Sequence, residues 1–278
     1  MVPGSQRFGI VGFPIAHSAS PALYNRLFRD YGLRATYEPC ELPPAYSPYL
    51  IRVFQIAGFT GINLTAPFKT RVLDQLSELS PDAVQAGAVN TVLFQGGKAI
   101  GHNTDKEGFI CAIRQKLTLQ IQGLRVGILG AGGAARAVAA GLADHHASAI
   151  TLLNRSPHRA KAVCDHLRTQ FAGVSFFHTA LNASQFAAVA PNLDLVVNCT
   201  TASANPVIAT LSVAPLPSHA VWCDINYWVA DPPQVKAVTH RGLQCLDGQA
   251  MFVHQAVRCF ELFSGIPTEP VRVEACLG

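Results

Sequence analysis

Three polar clusters within the first 105 residues hold the side chains best suited to chemistry. Asn63-Leu64-Thr65-Ala66-Pro67-Phe68-Lys69 follows a short apolar run and ends in a lysine with apolar neighbours. Hydride reduction of a ketone requires a proton donor at the carbonyl oxygen, and a partly desolvated lysine beside a strand end can supply that proton. Burial disfavours the charged form of such a lysine and a nearby carboxylate favours it, so the balance between them sets its acidity. Gly87-Ala88-Val89-Asn90-Thr91 and Gly101-His102-Asn103-Thr104-Asp105 form two further polar loop tips. Read singly, Lys69 is by default a solvated lysine and the two tips are turn chemistry. Their coincidence at three successive strand ends, ahead of a nucleotide-binding pattern, is harder to assign to turns alone.

A fourth cluster stands near the start. Gly12-Phe13-Pro14-Ile15-Ala16-His17-Ser18-Ala19-Ser20-Pro21 lies between an expected strand and an expected helix over 22–31, closed by Gly32. Pro21 suits the first helical position and Ser20 suits the N-cap. Ser18 and Ser20 put two hydroxyls at a helix N-terminus, a neutral site able to accept a carboxylate; the structural alternative is that Ser20 is only a cap.

The second half carries a different signal. Val126-Gly127-Ile128-Leu129 runs into Gly130-Ala131-Gly132-Gly133-Ala134-Ala135 and then into a helical pattern. This is G-x-G-x-x-A in the context a dinucleotide requires, after a strand and opening a helix. Gly130 permits the tight turn, and Gly132 lets backbone N–H groups approach a pyrophosphate. The small Ala135 lets the helix pack on the sheet, and the helix N-terminus favours the anion. An acidic residue about 20 positions further on would hold the ribose 2′-OH of NAD. Here the next strand ends in Asn154-Arg155-Ser156, with Arg159 close behind. No carboxylate repels a 2′-phosphate there, and two guanidiniums can bind one bidentately, which favours NADP. The alternative is that both arginines are solvated residues of a helix start.

These groups need elements to hold them. Apolar runs over 125–129, 150–154, 174–178, 195–198, 221–225 and 244–246 alternate with helical or mixed segments, the pattern of parallel strands joined by crossovers. The first half has expected strands over 8–11, 36–40 and 61–64. It also has a hairpin, 91–95 with 98–102, turning on Gly96-Gly97. From about Gly248, residues Met251, Phe252, Gln255, Cys259, Leu262 and Phe263 fall at helical spacing. The expected fold is α/β: an N-terminal α/β domain, then a Rossmann-like doubly wound parallel sheet, with a C-terminal helix packing back on the first. The expected boundaries are 1–105 completed by 249–278 for the substrate and catalytic domain, and 106–248 for the nucleotide-binding domain.

Composition narrows the class. The 278 residues are 49% hydrophobic and 14% charged, against a usual charged share of about 25%. Mean hydropathy is +0.24, yet no run approaches the roughly 18 apolar residues of a membrane span. The first eight residues lack a basic stretch followed by an apolar one, the mark of a secretory signal. A cytoplasmic, globular protein without a membrane partner is expected. The net charge of +4 includes no Lys/Arg block and no basic stripe interleaved with aromatics, so no nucleic-acid partner is expected. The eight cysteines form no CxxC and read as reduced, mostly buried thiols. His145-His146 read as the solvated end of a helix, His17 as part of its loop, and His254 as turned about 100° from Gln255. No cluster has metal-ligand spacing, so no metal is expected.

Taken together, the ordered motifs 17–21, 63–69, 87–91, 103–105, 130–135 and 154–156 with Arg159, and Met251 with Gln255, resemble those of the shikimate dehydrogenase family over nearly the full chain. The resemblance implies reversible NADPH-linked reduction of 3-dehydroshikimate to shikimate in aromatic amino-acid (chorismate) biosynthesis. It implies that Ser18 and Ser20 hold the substrate carboxylate, and that Thr65, Lys69, Asn90, Asp105 and Gln255 surround the ring hydroxyls and the reacting carbon. Lys69 and Asp105 are then the catalytic pair, with Lys69 donating the proton and Asp105 orienting it. Gly130, Ala131, Gly132, Gly133, Ala134, Asn154, Arg155, Ser156 and Arg159 are then the cofactor-binding residues. A small-molecule substrate and a monomer or homodimer are expected.

Two segments depart from the family pattern. Asn198-Cys199-Thr200-Thr201-Ala202-Ser203 lacks the glycine of Asn-Ala-Thr-Ser-x-Gly. In the segment corresponding to Asp-x-x-Tyr-x-Pro, Tyr227 is kept as a substrate-binding candidate but Val229 replaces the proline. Both changes concern the nicotinamide end. The competing readings are a quinate/shikimate dehydrogenase or specialised paralogue using NAD, a folate-type methylene dehydrogenase, and a catalytically idle nucleotide-binding regulator. Arg155 and Arg159 speak against NAD, Ser18-x-Ser20 against the folate enzyme, and intact Lys69 and Asp105 against an idle site.

Overall fold

A computed structural model describes residues 5–16, 18–201, 206–229 and 232–277; His17 and the stretches 202–205 and 230–231 lie outside the described residues. The chain divides into two compact units, 1–108 with 253–278, and 109–252.

In the first unit the element order is β1 (Gln6–Gly12), α1 (Ser20–Asp30), β2 (Ala35–Glu41), α2 (Leu50–Ile56), β3 (Gly61–Leu64), β4 (Glu78–Leu79), α3 (Pro81–Ala86), β5 (Thr91–Gln95) and β6 (Lys98–His102), leading into α4 (Asp105–Lys116). The strands form one sheet in the order β2-β1-β3-β5-β6-β4. Only β5 runs against its neighbours among the described strands. That reversal matters for the site. The polar tip 87–91 precedes β5 rather than ending a strand, and because β5 is antiparallel to β3 its first residue, Thr91, lies opposite Asn63 and opposite His102. Three polar tips thus meet at one end of the strands β3, β5 and β6. The hairpin turns on Gly96 and Gly97 at φ 57 and 78, the left-handed pair that a two-residue primed turn demands.

The core of this unit is apolar strand and helix faces: Val11, Leu50, Phe54, Ile62, Leu64, Phe68, Val72 and Val92 are all buried. The C-terminal helix α10 (Gly248–Ser264), followed by the short α11 (Pro270–Ala275), adds an aromatic layer. Phe263 lies tilted 4.5 Å from Phe8, Phe260 lies 6.0 Å from Phe28, and beneath them Tyr24 stacks 4.6 Å from Tyr37. Aromatic pairs at these separations add to the area they bury. The C-terminal helix therefore packs on the first unit.

The second unit follows the strand–helix alternation closely: β7 (Arg125–Leu129), α5 (Gly133–Asp144), β8 (Ala149–Asn154), α6 (Pro157–Gln170), β9 (Ser175–Ala180), α7 (Ala183–Val189), β10 (Leu195–Asn198), α8 (Pro206–Thr210), β11 (Val221–Asp224), α9 (Pro233–His240) and β12 (Gln244–Leu246). Its six strands are all parallel in the order β12-β11-β10-β7-β8-β9. This is the doubly wound dinucleotide-binding order, with its switch point between β7 and β10. All four residues of β10 and of β11 are buried, as strands covered on both faces must be. No helix among the described residues is long and apolar enough to cross a membrane.

Candidate active site

Lys69 lies past the end of β3, and Asp105 opens α4 in the first turn beyond β6. Lys69 Nζ donates to Asp105 Oδ2 at 2.6 Å, with side-chain exposures of 16% and 7%. The other carboxylate oxygen, Oδ1, accepts from Asn90 Nδ2 at 2.8 Å. Asn90 uses every position it has: Nδ2 also donates to Thr104 Oγ1 at 2.8 Å, and Oδ1 accepts from Thr104 N at 2.8 Å and Thr91 Oγ1 at 3.1 Å. In this arrangement its amide orients Asp105 and the Thr104 turn. Thr104 Oγ1 donates in turn to Gln255 Oε1 at 3.4 Å, which joins α10 to the network.

Gln255 reaches Thr104 because α4 and α10 touch at Gly108. A Cβ at that position would stand 2.8 Å from both the Cβ and the backbone nitrogen of Gln255. Behind the network Asn63, at the end of β3, donates through Nδ2 to Asn90 O at 3.1 Å and Thr91 Oγ1 at 2.9 Å, and accepts from the Tyr37 hydroxyl at 2.6 Å. Buried Cys259 adjoins it, and burial pushes that thiol up to about 11, which makes it a packing group rather than a nucleophile.

The serines differ from expectation in one respect. Helix α1 begins at Ser20 with Ala19 as N-cap, and no side chain caps it. Instead Ser18 Oγ accepts from the Ser20 backbone N–H at 3.3 Å, because Pro21 shifts to the second helical position. The Ser20 hydroxyl is consequently released from capping; the residue is 5% exposed and its side chain has no hydrogen-bond partner among the described residues. Thr65, half-buried, directly follows β3, its methyl against Gly12.

In the second unit the glycine turn fits a dinucleotide phosphate. Gly130 sits at φ +112, a conformation L side chains rarely adopt, and packs against the Cys199 carbonyl at the switch point. Gly132 is the uncapped N-cap of α5, and a Cβ there would meet nothing within 4 Å. The free N–H groups of Gly133, Ala134 and Ala135 open onto that space, as the first turn of a helix leaves them. At the end of β8, Asn154 Nδ2 donates to Ser156 O at 3.0 Å and shapes the turn into α6. Arg155 and Arg159 are exposed there, with no carboxylate partner among the described residues. Tyr227 is half-buried beyond β11; its ring stacks 4.2 Å from Phe252 and meets Trp228 edge-on at 5.0 Å.

Sequence reasoning singled out neither Thr104 nor Asn63 as site residues, although both stood in the quoted motifs. The usable signal was type and place: a buried Asn or Thr beside a charged pair must find partners.

Comparisons with known proteins agree with this architecture. A family profile described as shikimate dehydrogenase substrate binding domain matches residues 10–92, and one described as shikimate / quinate 5-dehydrogenase matches residues 112–241. The chain is 32% identical to the shikimate dehydrogenase (NADP(+)) of Halothermothrix orenii over 278 residues, 96% of this chain and 95% of that one. It is 35% identical to that of Symbiobacterium thermophilum over 260 residues, covering 92% and 88%. Among solved structures, shikimate 5-dehydrogenase from Thermus thermophilus in complex with NADP(H) and shikimate matches with a TM-score of 0.81 at 31% identity, covering 98% of each chain. With both halves matched by family profiles and full-length relatives above 30% identity, the chain belongs to the shikimate dehydrogenase family.

Proposed function

We propose that this chain catalyses the reversible NADP-dependent interconversion of 3-dehydroshikimate and shikimate. The observation that carries the reading is the 2.6 Å Lys69–Asp105 pair, fixed by Asn90 where the polar ends of β3, β5 and β6 meet. An ammonium group has three N–H donors. One is committed to Asp105, so the remaining two are available to a carbonyl oxygen in reduction, and Lys69 is the proton donor. In the oxidation direction Lys69 takes the hydroxyl proton back. Asp105 holds Lys69 in one orientation throughout, which confines the proton transfer to a single substrate oxygen.

The two N-terminal hydroxyls supply specificity. Ser20, freed from capping, and Ser18 hold the substrate carboxylate, while Thr65 and Gln255 meet ring hydroxyls. Tyr227 is assigned to the substrate as well. NADP, when bound, supplies the hydride chemistry. The residues to hold it are Gly130, Ala131, Gly132, Gly133 and Ala134 at the pyrophosphate, and Asn154, Arg155, Ser156 and Arg159 at the 2′-phosphate. The absence of a carboxylate at the end of β8 supports NADP over NAD.

Four parallel assays test the reading: shikimate and quinate, each with NADP and NAD, followed as reduced-cofactor formation at alkaline pH. The highest kcat/KM is expected for shikimate with NADP. A higher value for quinate with NAD would replace the assignment, and no turnover in any arm would favour a nucleotide-binding regulator.

A further inference from the structure

Lys106, next in sequence to Asp105, is a buried cation that the proposed mechanism does not use; it is 6% exposed. Lysine is almost never so buried unless it is paired. Here Lys106 Nζ donates to Asp82 Oδ1 at 2.9 Å and to Gln85 Oε1, and both acceptors stand on α3. The backbone of the same turn is tied as well. Lys106 N donates to Asn103 Oδ1 at 3.2 Å, and Asn103 Nδ2 donates to Ala88 O at 2.9 Å, just past the end of α3. The start of α4 is thus fastened along α3 at Asp82, Gln85 and Ala88.

The segment that α3 leads into holds both members of the catalytic pair. Helix α3 has only six residues, too few to be stable alone, so its place depends on what it is fastened to. Its C-cap, Gly87 at φ 58, turns the chain directly into 88–90. There Val89 N donates to Lys69 O at 2.8 Å, and Asn90 Nδ2 donates to Asp105 Oδ1 at 2.8 Å. The main chain of Asn90 is set by the sheet, since its N–H donates to His102 O and its carbonyl accepts from Leu64 N. Lys106 sets the helix that enters this tip. Without its ammonium, Asp82 and Gln85, both half-buried, would satisfy their oxygens by turning toward water, and α3 would shift with them.

We propose that Lys106 is a positioning residue for proton transfer: through α3 it sets Asn90 against Asp105, and so fixes how Asp105 presents Lys69 to a substrate oxygen. This rests on the function proposed above. Steady-state oxidation of shikimate by the full chain reads it, with kcat counted per shikimate-binding site from calorimetric stoichiometry, so that unfolded protein does not enter. Lys106→Met is expected to lower kcat about tenfold, the order of loss from a slight misplacement of reacting groups, while the NADP KM changes less than about twofold. Lys106→Arg, which keeps a cation against Asp82, should stay within about threefold of the unsubstituted kcat. Asp82→Asn should lower kcat at least about threefold, and it carries the test if Lys106→Met does not fold. In an Asn90→Ala background the same substitution should cost less than about a further twofold, because the contact it acts through is already gone. A kcat within twofold of the unsubstituted value, an equal fold-loss with and without Asn90, or a Lys106→Arg protein as slow as Lys106→Met overturns the positioning role and leaves the function standing. No turnover of shikimate by the unsubstituted protein overturns both.

Discussion

The lysine–aspartate centre and the glycine-turn face meet their polar requirements in opposite ways. Around Asp105 the side chains are tied to one another before any ligand is present: Lys69 and Asn90 to the carboxylate, Thr104 to Asn90 and Gln255, and Tyr37 to Asn63 behind them. At the glycine turn the reverse holds. Gly132 borders open space, α5 has no side-chain cap, and Arg155 and Arg159 stand exposed. The difference fits the roles proposed for each. Groups that move a proton gain from being held in place before substrate arrives, because reorganisation during the reaction is then avoided. Groups that bind a polyanion gain from remaining unpaired, since an internal partner would have to be displaced first.

Substitutions at the two faces should accordingly fail in different parameters. The largest effect is expected for Lys69→Ala: kcat should fall by about 10²–10⁴-fold, the usual range for a lost general acid, with little change in KM. Steady-state assays in the reducing direction check this, and a kcat above a tenth of the unsubstituted value would remove Lys69 from the proposed role. In the second unit, replacing both Arg155 and Arg159 by alanine should leave kcat nearly intact. It should weaken NADPH by about 10–100-fold, the equivalent of one or two charge-assisted hydrogen bonds, while NADH changes little. Fluorescence titration with both cofactors decides it, and equal losses for the two would show that the arginines do not read the 2′-phosphate. The smallest effect sharpens the idea of a pre-assembled centre. Gly108→Ala drives a methyl into Gln255, and overpacking of this kind costs about 1–3 kcal/mol. A lower Tm with a raised shikimate KM is expected, and an unchanged KM would show that the α4–α10 contact does not place Gln255.

Much of the second unit was legible residue by residue. The runs 125–129, 195–198 and 244–246 coincide with β7, β10 and β12; β10 is wholly buried and β7 is buried after Arg125, as strands covered on both faces must be apolar, while the edge strand β12 was legible from the turns that bound it. The hairpin on Gly96-Gly97 was equally plain, since a two-residue primed turn leaves few alternatives. The first unit was harder to read. Short elements such as β4 (Glu78–Leu79) and α2 carry too little periodicity to stand out. The tip 87–91 read as a strand end although it precedes β5, since strand direction is a property of pairing and not of local composition. Ser20 read as the N-cap because its type favours that place, whereas the backbone takes the cap one residue earlier.

By itself the sequence determined the α/β class, the turn that can receive a pyrophosphate, the arginines beside it and the types of group available to move a proton. Those are consequences of local chemistry: glycine where φ is positive, apolar runs where strands are covered, charge where an anion would sit. Tertiary structure decided which of those groups meet. Lys69 and Asp105 stand 36 residues apart and Gln255 lies 151 residues from Thr104, yet the antiparallel turn of β5 and the contact of α4 with α10 at Gly108 join them in one network. Hydrogen bonds at such separations exist only after the sheet order and helix packing are set, so no window of sequence could contain them.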